Sequence, residues 1–321
     1  MKHKALGTEG LLAAFIVAAA LALINFFLGH PQHLEGNMGI CLPSPNLWPI
    51  PPLWSWIANL SLMLIIGVTV HFVNKSYSIV QTTDTVLPAA FLVFCASNPW
   101  LSGLLNTSMI MAIINVLAII MMFECYRARN ATQQIFIVAT MLSVGSMFQY
   151  AFIFMIPAYL IIALMMKCLR FKEFIAFLLG LAAPYWVGIG LGLIPLSSFS
   201  TPTLTNLFDG FTSTSDLLIG LLNIGITAII AILMTLNNAV KLYAGNTRRR
   251  LYNNSISLLG LVCIICMSID FNNLTAYVAT FYLTAAVQLA NTYALWNIPK
   301  GSLWLAVVAA LYIASFAVML W

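Results

Sequence analysis

Residues 101–129 read LSGLLNTSMIMAIINVLAIIMMFECYRAR: a long apolar run that ends in Arg127 and Arg129. A helix rises about 1.5 Å per residue and needs about 20 apolar residues to cross a hydrocarbon core about 30 Å thick. This stretch has that length, and the basic pair behind it is where a span meets water. The same phrase recurs outward in both directions. It predicts helices over 10–29, 54–73, 85–98, 101–125, 132–147, 149–166, 173–194, 217–240, 255–270, 273–292 and 302–321. The third, fifth and sixth are short. The expected fold is all-α: a polytopic transmembrane helix bundle of about eleven helices, several short or broken, in one integral membrane domain over 1–321.

Charge tests that count. Lys2 and Lys4 precede the first helix, Lys75 follows the second, and Arg127 and Arg129 follow the fourth. Lys167, Arg170 and Lys172 follow the sixth, Lys241, Arg248, Arg249 and Arg250 the eighth, and Lys300 the tenth. With eleven spans all 13 basic residues fall on one side, which the positive-inside rule makes the cytoplasm. The N-terminus is then cytoplasmic and the C-terminus outside. Glu9, Asp84, Glu124 and Glu173 share the inner face; Glu35, Asp209, Asp216 and Asp270, with His30 and His33, lie on the outer one. The outer face has no lysine or arginine.

Composition agrees. The chain is 62% apolar and 7% charged, against about 25% charged in a soluble domain. Its basic residues flank apolar runs, which excludes a nucleic-acid partner and makes membrane lipids the expected one. The apolar run at 11–28 is longer than a signal-peptide core, so a retained first helix is expected. Of six cysteines only Cys41 falls in an outer loop, so no disulfide framework is implied. Cys263 and Cys266 form a C-x-x-C inside an apolar helix, where cysteine acts as a small apolar residue.

Two outer loops are long. Residues 30–53 contain six prolines, with Trp48, Trp54 and Trp56 at headgroup level; residues 195–216 are rich in serine and threonine. A cytoplasmic basic loop is expected over 241–254, where Arg248, Arg249 and Arg250 meet anionic headgroups at about 1 kcal/mol each.

Four patterns bear on chemistry. His30, His33 and Glu35 are three possible divalent-metal ligands within six residues, with Glu35 able to act as a base. Their spacing fits no zinc signature, and a solvated loop explains them equally well; no cofactor is expected otherwise. Asn273, Tyr277, Thr280, Thr284, Gln288 and Asn291 step by four, three, four, four and three, so they share one helical face. That face lines a polar cavity, with Thr280, Thr284, Gln288 and Asn291 as ligand contacts, or bonds to neighbouring helices. Gly180, Pro184, Gly188 and Gly192 step by four along one side of the seventh helix, which implies either close packing or a broken helix aimed at a ligand. Asp270 stands where the ninth helix turns into the tenth and reads as a cap or turn residue.

Residues 87–105 (LPAAFLVFCASNPWLSGLL) and 141–166 (MLSVGSMFQYAFIFMIPAYLIIALMM), with the long loop after the first helix, resemble the membrane domain of type C polyprenyl-dependent glycosyltransferases. The first resembles that family's broken third-to-fourth helix and the second its pair of short helices. KEFIAFLLGLAAPY (172–185) is also similar to an uncharacterised family of bacterial multi-pass inner-membrane proteins. The resemblance implies a bacterial inner-membrane protein of cell-envelope assembly with polyprenyl-linked glycan or other envelope membrane proteins as partners. Those enzymes place a catalytic carboxylate in the first outer loop, where only Glu35 is available, and hold the phosphate donor with outer-face cations, which this chain lacks. The expected role is therefore a non-catalytic subunit or lipid-linked-substrate binder. The alternatives are an active glycosyltransferase or polysaccharide polymerase with Glu35 as base, and a small-molecule or lipid transporter.

Overall fold

The computed structural model describes residues 8–28, 39–80, 85–199, 201, 215–242, 247–296 and 301–320. Among them there are twelve α-helices and no strand. In chain order these are α1 Thr8–Leu28, α2 Pro52–Tyr77, α3 Val86–Ala96, α4 Pro99–Ser102, α5 Thr107–Glu124 and α6 Thr132–Phe148. They continue with α7 Ile156–Met165, α8 Phe171–Gly190, α9 Ser215–Leu242, α10 Thr247–Ile269, α11 Leu274–Trp296 and α12 Gly301–Leu320.

Among the described residues six helices are long and apolar enough to cross a membrane: Glu9–Leu28, Pro52–Tyr77, Thr107–Glu124, Phe171–Gly190, Leu221–Val240 and Thr247–Ile269. Four shorter apolar helices accompany them: Val86–Ala96, Thr132–Phe148, Tyr150–Met165 and Leu305–Met319. The outward faces are apolar, as at Phe27 (75% exposed), Phe171 (80%) and Trp186 (81%). Such faces suit lipid and not water.

Two expected boundaries move. The helix expected over 101–125 starts only at Thr107, and Pro99–Ser102 is a separate turn. Asn98 and Asn106 break the run: each side-chain oxygen accepts a backbone N–H at a helix start, from Trp100 at 3.0 Å and from Met109 at 3.2 Å. The basic loop expected over 241–254 is mostly helical. α9 runs to Leu242 and α10 starts at Thr247, so the three arginines form the first turn of a helix. Arginine is a good helix former, and its charge marks the end of a span without ending the helix. The loop expected over 30–53 is described only from residue 39, and most of 195–216 lies outside the described residues.

α11 organises the bundle. It is long enough to span but too polar to stand among the six, and almost every described residue along it is buried. α3, α5, α9 and α10 pack around it.

The α6–α8 pair is the most extensive helix contact. A Cβ added at Gly180 would stand 2.6 Å from Phe136 O and 2.8 Å from the Ala139 Cβ, so the glycine face of α8 serves close packing here. Ser143 Oγ donates to Leu181 O at 2.6 Å, and Ser146 and Tyr185 share a hydrogen bond of 2.6 Å across the same seam. Gly180→Leu is expected to destabilise the protein by about 1–3 kcal/mol through overpacking. Gly190→Ala, which meets nothing within 4 Å, should leave stability unchanged. Unfolding midpoints in detergent compare the two.

Candidate functional site

The polar face of α11 meets a partner at nearly every turn. Asn115 Nδ2 on α5 donates to Thr280 Oγ1 at 3.0 Å, and Tyr159 OH on α7 donates to Asn115 Oδ1 at 2.8 Å. Thr284 Oγ1 turns back to Phe281 O at 2.8 Å, opposite Gly260, where an added Cβ would stand 2.5 Å from that oxygen. Gln288 Nε2 donates to Asn253 Oδ1 at 3.1 Å and Ser257 Oγ at 3.0 Å, while its Oε1 accepts from Asn238 Nδ2 at 2.9 Å. Asn291 Nδ2 donates to Asn253 Oδ1 at 3.1 Å. The four residues read from the sequence as ligand contacts therefore share one face and spend their polar groups on the bundle itself. The void beside Asn115 and Thr284 is about 40 Å³, room for little more than water.

A second cluster closes one end of that face. Asp270, in the turn between α10 and α11, is fully buried. Its carboxylate accepts from Asn273 Nδ2 at 2.9 and 3.1 Å, Tyr277 OH at 2.8 Å and Tyr150 OH at 3.3 Å. Gln149 Nε2 donates to Asn273 Oδ1 at 2.7 Å. Burial pushes the carboxyl above its usual range, against the pull of the three donors. Sequence reading gave Asp270 a turn role and missed Tyr150, more than a hundred positions away.

A third cluster surrounds α4. A one-turn helix leaves its carbonyls without helical partners, a severe cost away from water. Asparagine amides from α1, α2 and the N-cap of α5 supply the donors. Asn25 reaches Pro99 O at 2.8 Å and Ser102 Oγ at 3.1 Å; Asn59 reaches Leu101 O at 2.7 Å and Gly103 O at 3.1 Å. Asn106 Nδ2 donates to Trp100 O, Leu101 O and Leu104 O at 3.3–3.4 Å. On the other side Asn98 Nδ2 donates to Tyr282 OH at 3.0 Å, and Tyr282 OH donates to Asn223 Oδ1 at 2.6 Å.

The larger cavities are apolar. One of about 310 Å³ lies between α1, α3 and α12, with Leu289 of α11 beside it and Ala13, Ala90, Val93, Ala306 and Ala309 among its walls. Another, about 500 Å³, follows the α6–α8 seam beside Pro184.

The described basic residues gather at one end. Arg248 Nε donates to Tyr252 OH at 2.6 Å, and its guanidinium lies 5.3 Å from the Tyr252 ring and 5.9 Å from that of Tyr126. Arg127 lies 5.4 Å from the Tyr126 ring. Arg249 Nε donates to Ile79 O at 3.3 Å. Arg248 and Arg249, expected at headgroups, thus hold protein partners as well, and Arg250 is half-buried in the same turn. His30, His33 and Glu35 lie outside the described residues, among which no group of three His, Cys, Asp or Glu could hold a metal.

These features define an all-helical bundle with apolar outward faces and an interior polar network. Comparison with protein-family models, curated proteins and solved structures finds no match for this chain.

Proposed function

We propose that this chain is a multi-pass protein of a bacterial inner membrane, with its basic end cytoplasmic, that serves cell-envelope assembly as a non-catalytic binder of lipid-linked material. The observation that carries the reading is the division of the interior. Polar groups along α11 are bonded to one another, whereas the roomier cavities are apolar and border helices with exposed apolar faces. A hydrocarbon or isoprenoid chain fits such a cleft, and about 300 Å³ is the lower size of a ligand pocket. Passage of a polar solute along Thr280, Thr284 and Gln288 would require breaking hydrogen bonds between four helices. That favours binding over transport.

The ligand test is photocrosslinking with a diazirine-bearing polyprenyl phosphate in native membranes. Label should concentrate on peptides of α1, α3 and α12, and Ala90→Phe, which fills the cleft between them, should reduce it several-fold. Label spread evenly over the lipid-facing helices, unchanged by Ala90→Phe, would discard the reading. The orientation has its own test. All six native cysteines are buried, so single introduced cysteines report sidedness. Leu47→Cys should react with an impermeant maleimide in intact cells, and Arg129→Cys only after permeabilisation; the reverse pattern inverts the topology.

A further inference from the structure

The cleft between α1, α3 and α12 occupies only one half of the bundle's depth, and hydrogen bonds elsewhere fix which half. Asn25, near the end of α1, reaches Pro99 O just beyond α3, so the ends of both helices meet at α4. Ala13 of α1 and Ala90 of α3, on the walls of the cleft, lie on the near side of that meeting. On α11, Tyr282 OH accepts from Asn98 Nδ2 beside α4. Leu289 stands about two turns further along, close to Asn291, which bonds Asn253 of α10. The first turn of α10 carries the three arginines, and Arg249 holds Ile79 O shortly before α3 begins. The cleft therefore lies toward the basic end of the bundle. Its depth is bounded. Val86 and Phe94 both line it, and the eight residues between them rise about 12 Å, close to half of a hydrocarbon core about 30 Å thick. At Phe94 the cleft meets a floor. The Phe94 and Tyr312 rings stack with centroids 4.4 Å apart, and Tyr282 stands edge-on to Phe94 at 6.1 Å. All three are buried. Tyr312 OH shares a hydrogen bond of 2.6 Å with Thr227 Oγ1, and Tyr282 OH is held between Asn98 and Asn223. Past the floor lie the amides and carbonyls of the α4 cluster, a polar barrier to hydrocarbon.

We propose that this cleft takes the head-proximal isoprene units of a polyprenyl phosphate from the membrane leaflet at the basic end, and that the Phe94–Tyr312 stack sets how far the tail enters. The inference rests on the lipid-binding reading and adds the leaflet, the part of the lipid that is held and the residues that limit it. A lipid in that leaflet keeps its phosphate in the interface and its first hydrocarbon at the level of Val86, where α3 and the cleft begin. The lining residues are all apolar, and Ala13, Ala306 and Ile313 among them are exposed, so the cleft is open to the surrounding lipid. The remainder of a long tail leaves by that opening into the bilayer. Lipid tails are as apolar as these walls, so burial alone selects nothing and packing decides. Ala89, Ala90, Ala306 and Ala309 leave room for the methyl branches of an isoprenoid. The leaflet is the cytoplasmic one in the orientation proposed above.

The experiment reconstitutes the full-length protein in proteoliposomes and adds, from outside, a polyprenyl phosphate with a diazirine on either its first isoprene units or its last. Impermeant biotin-maleimide on Arg129→Cys or Leu47→Cys captures the molecules of each orientation. Protein with its basic end outward should carry several-fold more head-proximal label than protein facing the other way, on the stretches 86–94 and 305–313. The end-of-tail probe should label those stretches several-fold less. Phe94→Leu lowers the floor and should extend the head-proximal label to residues 95–98. Equal labelling in both orientations, or by both probes, would overturn the inference and leave a cleft that binds lipid without choosing leaflet or end. A label boundary unmoved by Phe94→Leu would remove the stack from its limiting role. No label on either stretch with either probe would overturn the lipid-binding reading itself, and this inference with it.

Discussion

Asn106→Ala is expected to cost about 2–4 kcal/mol, because one side chain performs two jobs in the break between α4 and α5. Its oxygen caps α5 at Met109 N, worth about 1 kcal/mol. Its amide serves Trp100 O, Leu101 O and Leu104 O. Polar contacts inside membrane proteins average about 0.6 kcal/mol and reach about 1.7. The three bonds are long and shared by one nitrogen, so the lower value applies to each. Asn106→Asp separates the jobs, since it keeps the cap acceptor but presents oxygen to three carbonyls. Both variants should therefore be destabilised, the aspartate by charge and lost donors and the alanine by lost cap and donors. The unfolding midpoint in detergent reads the loss, and amide hydrogen exchange should rise at residues 99–109 specifically. A change below about 0.5 kcal/mol in Asn106→Ala would mean that water already serves the turn.

What could be read from the sequence follows from the range of each signal. Hydropathy is local, and it located each main helix within several residues. Periodicity is also local, and it put Thr280, Thr284, Gln288 and Asn291 on one face. Neither carries distance across the fold. Asn25, Asn59 and Asn115 each stand alone on a mostly apolar helix, Asn238 and Asn253 each sit beside a second asparagine, and nothing nearby tells what any of them meets. A lone asparagine in a lipid-facing helix is costly unless a partner helix supplies a bond; that cost was the available clue, and it names no partner. Residues 101–106 misled because leucines on both sides of Gly103 continue the apolar run, while the side-chain capping by Asn98 and Asn106 ends it. Arg248–Arg250 misled in the opposite way, as charge was taken for the end of a helix. The metal and base reading of His30, His33 and Glu35 falls outside the described residues.

Asp270→Ala should have an effect of similar size, about 3 kcal/mol, for a different reason. Asp270 accepts from Tyr277 OH, and it also accepts from Asn273 and Tyr150. Hydrogen bonds to a charged group contribute about 1.5–3 kcal/mol, and stranding a buried donor costs about 1–3 kcal/mol. The three donors are all neutral. An ionised Asp270 is thus a buried charge stabilised by dipoles alone, and this fixes the sign of its pH dependence. Burial raises its folded pKa, so the folded protein holds the proton more tightly than the unfolded chain. The stability Asp270 contributes by binding that proton is complete below the ordinary carboxylate value of about 4, and it is lost as pH rises through the folded value. Asp270→Asn stays neutral throughout, so its unfolding midpoint should lose that component of the pH dependence. It should also fall less than Asp270→Ala at every pH, because an amide oxygen still accepts from Tyr277. A double-mutant cycle with Tyr277→Phe isolates the bond: the two losses should be clearly less than additive. Additive losses, with the same pH slope in Asp270→Asn as in the wild type, would show that Asp270 is neither the acceptor for Tyr277 nor a group whose proton binding is coupled to folding.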